Sequence, residues 1–106
     1  MLQIAETKMT IWKPEVSRSQ KNTIAAIGST CKSVHSAEGE PQFIYQNWTV
    51  YFKGAAYEPA QQLRNQERIR VIRGIVENKF DKKSNRQYVW CTVFEFEVLK
   101  KGTGDL

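Results

Sequence analysis

Aromatic rings interleaved with cations and hydrogen-bonding side chains are the residues of this sequence best equipped to act on a partner. They concentrate in the run from Phe43 to Lys53, which contains Tyr45, Asn47, Trp48, Thr49 and Tyr51, and again from Lys79 to Arg86, where Phe80 is followed by Lys82 and Lys83. Rings of this kind stack on unpaired nucleobases, at about 1–3 kcal/mol per stacked base, while neighbouring cations track phosphates. The chemistry they suggest is therefore retention of a single nucleic-acid strand. Charge agrees: sixteen Lys and Arg against eleven Asp and Glu give a net charge of +5, and a pI near 9.4 favours a polyanionic partner.

If the first run is a strand, its side chains alternate between two faces. Phe43, Tyr45, Asn47, Thr49, Tyr51 and Lys53 share one face, the mixture a base-binding surface needs; Ile44, Gln46, Trp48, Val50 and Phe52 share the other, which is core from Trp48 onward. Tyr45 and Tyr51 would also suit ordinary cross-strand pairing on a half-exposed sheet. Trp12, followed by Lys13, shares a face with Lys8 and Thr10 and divides evenly between base stacking and a subunit contact. Phe80, ringed by Lys79, Lys82, Lys83 and Arg86, would clamp a strand or lie tucked against the domain beside a solvated tip. Arg68, Arg70 and Arg73 form a second basic stripe, with cross-strand ion pairs as the alternative. Towards the C-terminus Phe94, Phe96 and Val98 are expected in the core, with Glu95 and Glu97 solvated. Tyr88 and Trp90, in phase with Phe94, are expected inside unless a bulge reverses them.

Other chemistries find little support. Cys31 and Cys91 lie far apart with no C-x-x-C, and His35 is the only histidine, so no zinc site and no other metal or cofactor is expected. Both cysteines read as small apolar residues within strands, unpaired. No phosphate-binding loop, H-E-x-x-H or G-x-S-x-G occurs, which disfavours an enzyme. No run approaches the roughly 18 apolar residues of a membrane span, and residues 1–8 lack the apolar centre of a signal peptide, so a cytoplasmic protein with no membrane partner is expected.

The elements that must position these residues follow from period-2 alternation. A length of 106 residues suits a single domain, with a core over about residues 7–99. Strands are expected over Lys8–Lys13, Thr23–Lys32, Phe43–Lys53, Arg68–Phe80 and Gln87–Leu99, the first two and the last two as hairpins. Between Gly54 and Glu67 the apolar spacing changes to that of an amphipathic helix of about two turns, with Pro59 near its start. The order β-β-β-α-β-β is that of an all-β, five-stranded OB-fold barrel. Gly28 and Gly74, each inside a strand, suit the bends or bulges of coiled barrel strands. A bulge near Arg73 would reconcile Ile69 and Val71 with Ile72 and Val76.

From Thr7 to Leu99 the sequence resembles bacterial and phage single-stranded-DNA-binding proteins of the OB-fold type. The resemblance is carried by Thr10-Ile11-Trp12-Lys13, by Asn47–Gly54 with Ala55-Ala56, by Arg68–Gly74 and by Tyr88–Phe96, in that order and spacing. It implies that ligand lies on the Tyr45–Tyr51 face and that a ring near the last hairpin loop, here Phe80, stacks on nucleic acid. It also implies binding of single-stranded DNA with little sequence preference in replication, recombination or repair, with RNA as a weaker variant, by a homodimer or homotetramer. The alternative is an OB-fold module for protein–protein assembly that binds no nucleic acid. General replication members usually carry a long tail ending in acidic residues and a phenylalanine. This sequence ends at residues 100–106, so either the tail has been cut away or this is a tail-less phage or mobile-element relative, and recruitment is not carried over.

Overall fold

A computed structural model describes residues 2–35 and 37–100, without the side chain of Val34. Six strands form: β1 (Leu2–Ile4), β2 (Thr7–Val16), β3 (Ile24–His35), β4 (Pro41–Phe52), β5 (Glu67–Asp81) and β6 (Arg86–Lys100). The five expected strands are all present, each longer than its alternating run. β1 was not anticipated: three residues are too few to show a period, and it exists through pairing with the Gly74–Val76 segment of β5. The stretch 101–106, on which the tail argument bears, lies outside the described residues.

The sheet runs β1-β5-β2-β3-β4-β6, and a further β5–β6 pairing closes strands β2 to β6 into a barrel. All pairings are antiparallel except β4 with β6, where Thr49, Val50, Tyr51 and Phe52 run parallel to Trp90, Cys91, Thr92 and Val93. Closure leaves no long edge in the barrel wall for an unwanted chain to pair with. Inside lie Met9 and Ile11 of β2, Ile24 and Ala26 of β3, Val50 and Phe52 of β4, Ile69 and Val71 of β5, and Cys91 and Val93 of β6. Sealing a ring as large as that of Phe52 contributes roughly 1.5–3 kcal/mol.

Between β4 and β5 the chain makes a 3-10 turn, Gly54–Ala56, and one α-helical turn, α1 (Tyr57–Ala60), shorter than the two turns expected. Ala56, Ala60 and Leu63 are its buried contribution. Among the described residues no helix is long and apolar enough to cross a membrane.

Irregularities in the ladders account for the departures from simple alternation. β2 runs through Pro14 to Val16 because its register with β3 shifts between Trp12 and Glu15, a place where proline's missing N–H costs no rung. The bulge expected near Arg73 is present: Val71 pairs with Phe96, Arg73 with Glu95 and Gly74 with Val93. That sequence of pairs also leaves Phe94 without a partner, so the inward phase of β6 changes from Cys91 and Val93 to Phe96.

The expectations for Phe94, Tyr88 and Trp90 are corrected by this change, and that for Val98 by its exposure alone, since it keeps the phase of Phe96 and pairs with buried Ile69. Phe96 does reach the core, its ring 5.1 Å from that of Phe52 at 61°. Phe94 stands outside the buried cluster and Val98 is exposed. Tyr88 and Trp90 alternate with buried Cys91 and so lie on the outer side. Gly28 marks no bulge, since its pairings with Ile11 and Trp48 are in continuous register. It supplies room instead: a Cβ there would lie 2.7 Å from Met9 Sδ and 2.8 Å from Val50 Cγ2.

Candidate nucleic-acid interface

β4 carries most of the anticipated residues and places them as alternation requires. Tyr45, Asn47 and Thr49 are exposed and Tyr51 half-buried, while Val50 and Phe52 are sealed inside. Their β3 partners are Cys31 for Tyr45, Ser29 for Asn47, Ile27 for Thr49 and Ala25 for Tyr51. Ser29 and Ala25 are small and half-buried, whereas Ile27 and Cys31 are exposed, so the Tyr51 ring has a low neighbour and Thr49 an apolar one. Cys31 is exposed and Cys91 buried, so only the latter belongs to the core, where burial pushes its thiol pKa up. His35 is exposed at the end of β3 rather than in the connector.

The rung through Thr49 is the centre of the face. Trp12 pairs with Ile27, Ile27 with Thr49, and Thr49 with Trp90, so two indoles stand at the ends of one line across four strands with exposed Ile27 and Thr49 between them. The Trp12 Nε1–H donates to Ser29 Oγ at 3.1 Å, which satisfies the indole and fixes the ring beside the sheet. Trp90 is half-buried on the same outer surface. Sequence reasoning missed Trp90; the only available signal was that a bulge before Phe96 would turn it outward. Trp48, by contrast, faces inward, half-buried against the core, with Nε1 donating to Thr30 Oγ1 at 3.1 Å.

Cations border the face at both ends. Lys53 Nζ lies 5.8 Å from the centre of the Tyr51 ring, within cation–π range. Lys13 is exposed beyond Trp12 with a left-handed backbone, φ 50°, held by its N–H to Asn65 Oδ1 at 2.9 Å. At the other end the β5–β6 ribbon carries Lys79, Lys82, Lys83 and Arg86, all exposed. Its turn is shaped by the Lys83 N–H donating to Asp81 Oδ1 at 3.0 Å and by Asn85 at φ 54°.

Phe80 does not join Tyr45 and Tyr51. The ladder from Gly74/Val93 to Asp81/Arg86 is unbroken, so Phe80 shares a side with Val76 and Cys91, the inward series. Lys79, paired with Tyr88, shares the outer side with Glu77 and Trp90. Phe80 is 56% exposed, so it is not tucked against the barrel either. The hairpin thus presents Tyr88 and Lys79 to the outer surface and Phe80 to the opposite one.

The arginine stripe of β5 divides. Arg70 pairs with Glu97, Nε to Oε1 at 2.6 Å, and with Glu6. That hydrogen bond holds the Glu97 carboxyl below its ordinary pKa, and both partners hold the Arg70 guanidinium above its own. Arg68 donates to Thr10 Oγ1 at 3.4 Å. Arg73 is exposed, with its guanidinium carbon 5.9 Å from the centre of the Phe94 ring. Among the described residues no cluster of three His, Cys, Asp or Glu side chains could hold a metal.

This barrel, with rings and cations along one outer face, is an OB-fold. Two solved structures share it over almost their whole length. A small single-stranded DNA-binding protein from Mycoplasma pneumoniae is 14% identical with a TM-score of 0.64, over 96% of this chain and 97% of that one. A small single-stranded DNA-binding protein from Streptomyces coelicolor is 14% identical with a TM-score of 0.58, over 99% and 94%. No family model and no curated protein sequence matches the chain.

Proposed function

We propose that this protein binds single-stranded DNA with little sequence preference and catalyses no reaction. The observation that carries the reading is the outer face of β4, where Tyr45, Asn47, Thr49 and Tyr51 project together and the Thr49 rung is flanked by Trp12 and Trp90. Bases stack on these rings, and Lys13, Lys53 and the lysines of the β5–β6 hairpin contact phosphates. The two solved structures named above, which share the fold, are single-stranded DNA-binding proteins of nearly the same extent. RNA is the weaker ligand of this reading, since stacking is indifferent to the sugar. Phe80 serves a strand only where it passes over the edge of the hairpin. The cellular role is protection or organisation of exposed strands in replication, recombination or repair, in the cytoplasm.

Titration of poly-dT against intrinsic tryptophan fluorescence at two salt concentrations tests this directly. Affinity should fall steeply with salt, log K against log salt having a slope near −0.7 for each phosphate neutralised. Absence of binding at low salt would end the proposal.

A second reading, an assembly surface, is favoured by the tip of the β3–β4 hairpin. Phe43, Ile44 and Tyr45 are consecutive there, alternate between faces, and are 61%, 47% and 71% exposed. Such a tip suits contact with a second copy, in a homodimer or homotetramer, alongside nucleic-acid binding.

A further inference from the structure

Phe94 is a ring the fold turns out of its core, and its surroundings repeat the arrangement at Tyr51. It shares the outward phase of β6 with half-buried Trp90 and with Thr92, whose side chain is buried between its neighbours, and lies beyond the rung where Thr92 pairs with Tyr51. Its ring lies against Gly54, the residue after Lys53: a Cβ on Gly54 would sit 3.9 Å from Phe94 Cδ1. Gly54 has φ +59°, a conformation glycine adopts freely, so the chain passes the ring with no side chain over it. The Arg73 guanidinium lies beside the ring at 5.9 Å, as Lys53 lies beside Tyr51 at 5.8 Å. Two ring-and-cation pairs therefore follow one another along the barrel wall.

Two further observations single this place out. Arg70 is committed to Glu6 and Glu97, whereas among the described residues no carboxylate lies within ion-pair distance of Arg73. Beside Phe94 and Arg73 opens a cavity of about 520 Å³, lined also by Gln3, Ala5, Ile72 and Ile75. That volume falls in the range of small-ligand pockets, roughly 300–1,000 Å³, and its mixed lining suits a flat heterocycle with polar edges.

We infer that Phe94 and Arg73 form an additional nucleotide subsite, in which a base stacks on Phe94 and enters the adjoining cavity while its phosphate is held by Arg73. The strand thus runs past Tyr51 and Lys53 and crosses β6 onto β5 instead of ending at the margin of β4. The inference rests on the single-strand reading proposed above and extends it by one subsite.

The experiment compares dT oligomers of increasing length, from low salt through a series of salt concentrations, on the wild-type protein and on Phe94→Leu, Arg73→Gln and Tyr51→Ala. Phe94→Leu keeps apolar bulk beside Gly54 and removes the ring; Arg73→Gln alters an exposed side chain and leaves the core untouched. Phe94→Leu should weaken the longer oligomers at least about five-fold while leaving the shortest bound oligomer unchanged. Arg73→Gln should lower the salt slope for long oligomers by about 0.7. Tyr51→Ala should weaken every length. If both new variants bind all lengths as the wild type does while Tyr51→Ala is weakened, the additional subsite is refuted and the single-strand reading stands. If the wild type binds no length, both fall.

Discussion

Trp12 and Ser29 are joined by a 3.1 Å hydrogen bond from indole Nε1 to hydroxyl across neighbouring strands, so the ring is held against the outer sheet before any ligand arrives. A platform ordered in advance loses little side-chain entropy on binding. Ser29→Ala, which frees the indole N–H without touching the ring, should weaken poly-dT binding by about 1 kcal/mol or less and leave the thermal midpoint nearly unchanged. Loss of binding as large as that of Trp12→Ala would show that the hydroxyl meets the ligand itself.

Tyr45 and Tyr51 project from one face yet differ in burial, and their substitutions should differ accordingly. Tyr45→Ala should cost about 1–3 kcal/mol of affinity for single-stranded DNA with no measurable change in unfolding. Tyr51→Ala should cost a similar affinity and also some stability, because its ring is partly covered. Unchanged affinity in both, by fluorescence titration, would favour the assembly reading.

Gly74 sits where β5 bulges, and a Cβ on it would lie 2.8 Å from the Thr92 carbonyl oxygen. Backbone cannot yield as a side-chain tip can, so Gly74→Ala should destabilise by about 1–3 kcal/mol. Gly28→Ala meets Met9 Sδ, which can swing aside, and the stiffer Val50, and should cost less. Urea midpoints of the two variants decide the order.

Acid should weaken the clasp made by Arg70 with Glu97 and Glu6. The Glu97 carboxyl is held below its ordinary pKa by the hydrogen bond from Arg70. A depressed folded-state pKa contributes stability above the unfolded value, roughly 4.3, and that contribution is lost as pH falls through the folded one. Glu97→Gln should therefore differ from wild type in urea midpoint at pH 6, and the difference should shrink as pH is lowered from there to pH 3. A difference that stays constant across that range would point to packing instead of charge.

Thiol chemistry should resolve the cysteines. Cys31 is exposed beside Tyr45 and Cys91 is buried with its thiol pKa raised by burial. An aromatic disulfide reagent should modify one thiol quickly and the second only on unfolding, and Cys31→Ser should abolish the quick phase. Bound single-stranded DNA should slow that phase.

The order of elements, the barrel class and the outward set of β4 were legible because residues 47–52 place Trp48, Val50 and Phe52 in one phase and Asn47, Thr49 and Tyr51 in the other, and because polar turns or the short helix separate the runs. The bulge at Arg73 was legible too, since Ile69, Val71, Ile72 and Val76 cannot share one phase. What escaped was the matching irregularity opposite it. Nothing between Tyr88 and Val98 signals that Phe94 lacks a partner, because aromatic and β-branched residues occupy both phases there. One misplaced residue inverted the facing of Tyr88, Trp90 and Phe94, and with them part of the interface. The facing of Phe80 was hidden for a different reason: a ring at a hairpin base is visible in sequence, but the side of the ribbon it takes depends on register counted from the barrel.

The parallel seam between β4 and β6 joins residues about forty positions apart, and the barrel has no closed form without it. Such distant pairing must wait for most of the chain to be synthesised and collapsed, which places folding in the slow, millisecond-to-second regime of non-local β topologies. A nascent chain released before Trp90 emerges would expose the β4 edge together with the apolar lining that Cys91, Val93 and Phe96 cover, so birth on the ribosome is the moment when this small barrel is most prone to aggregate.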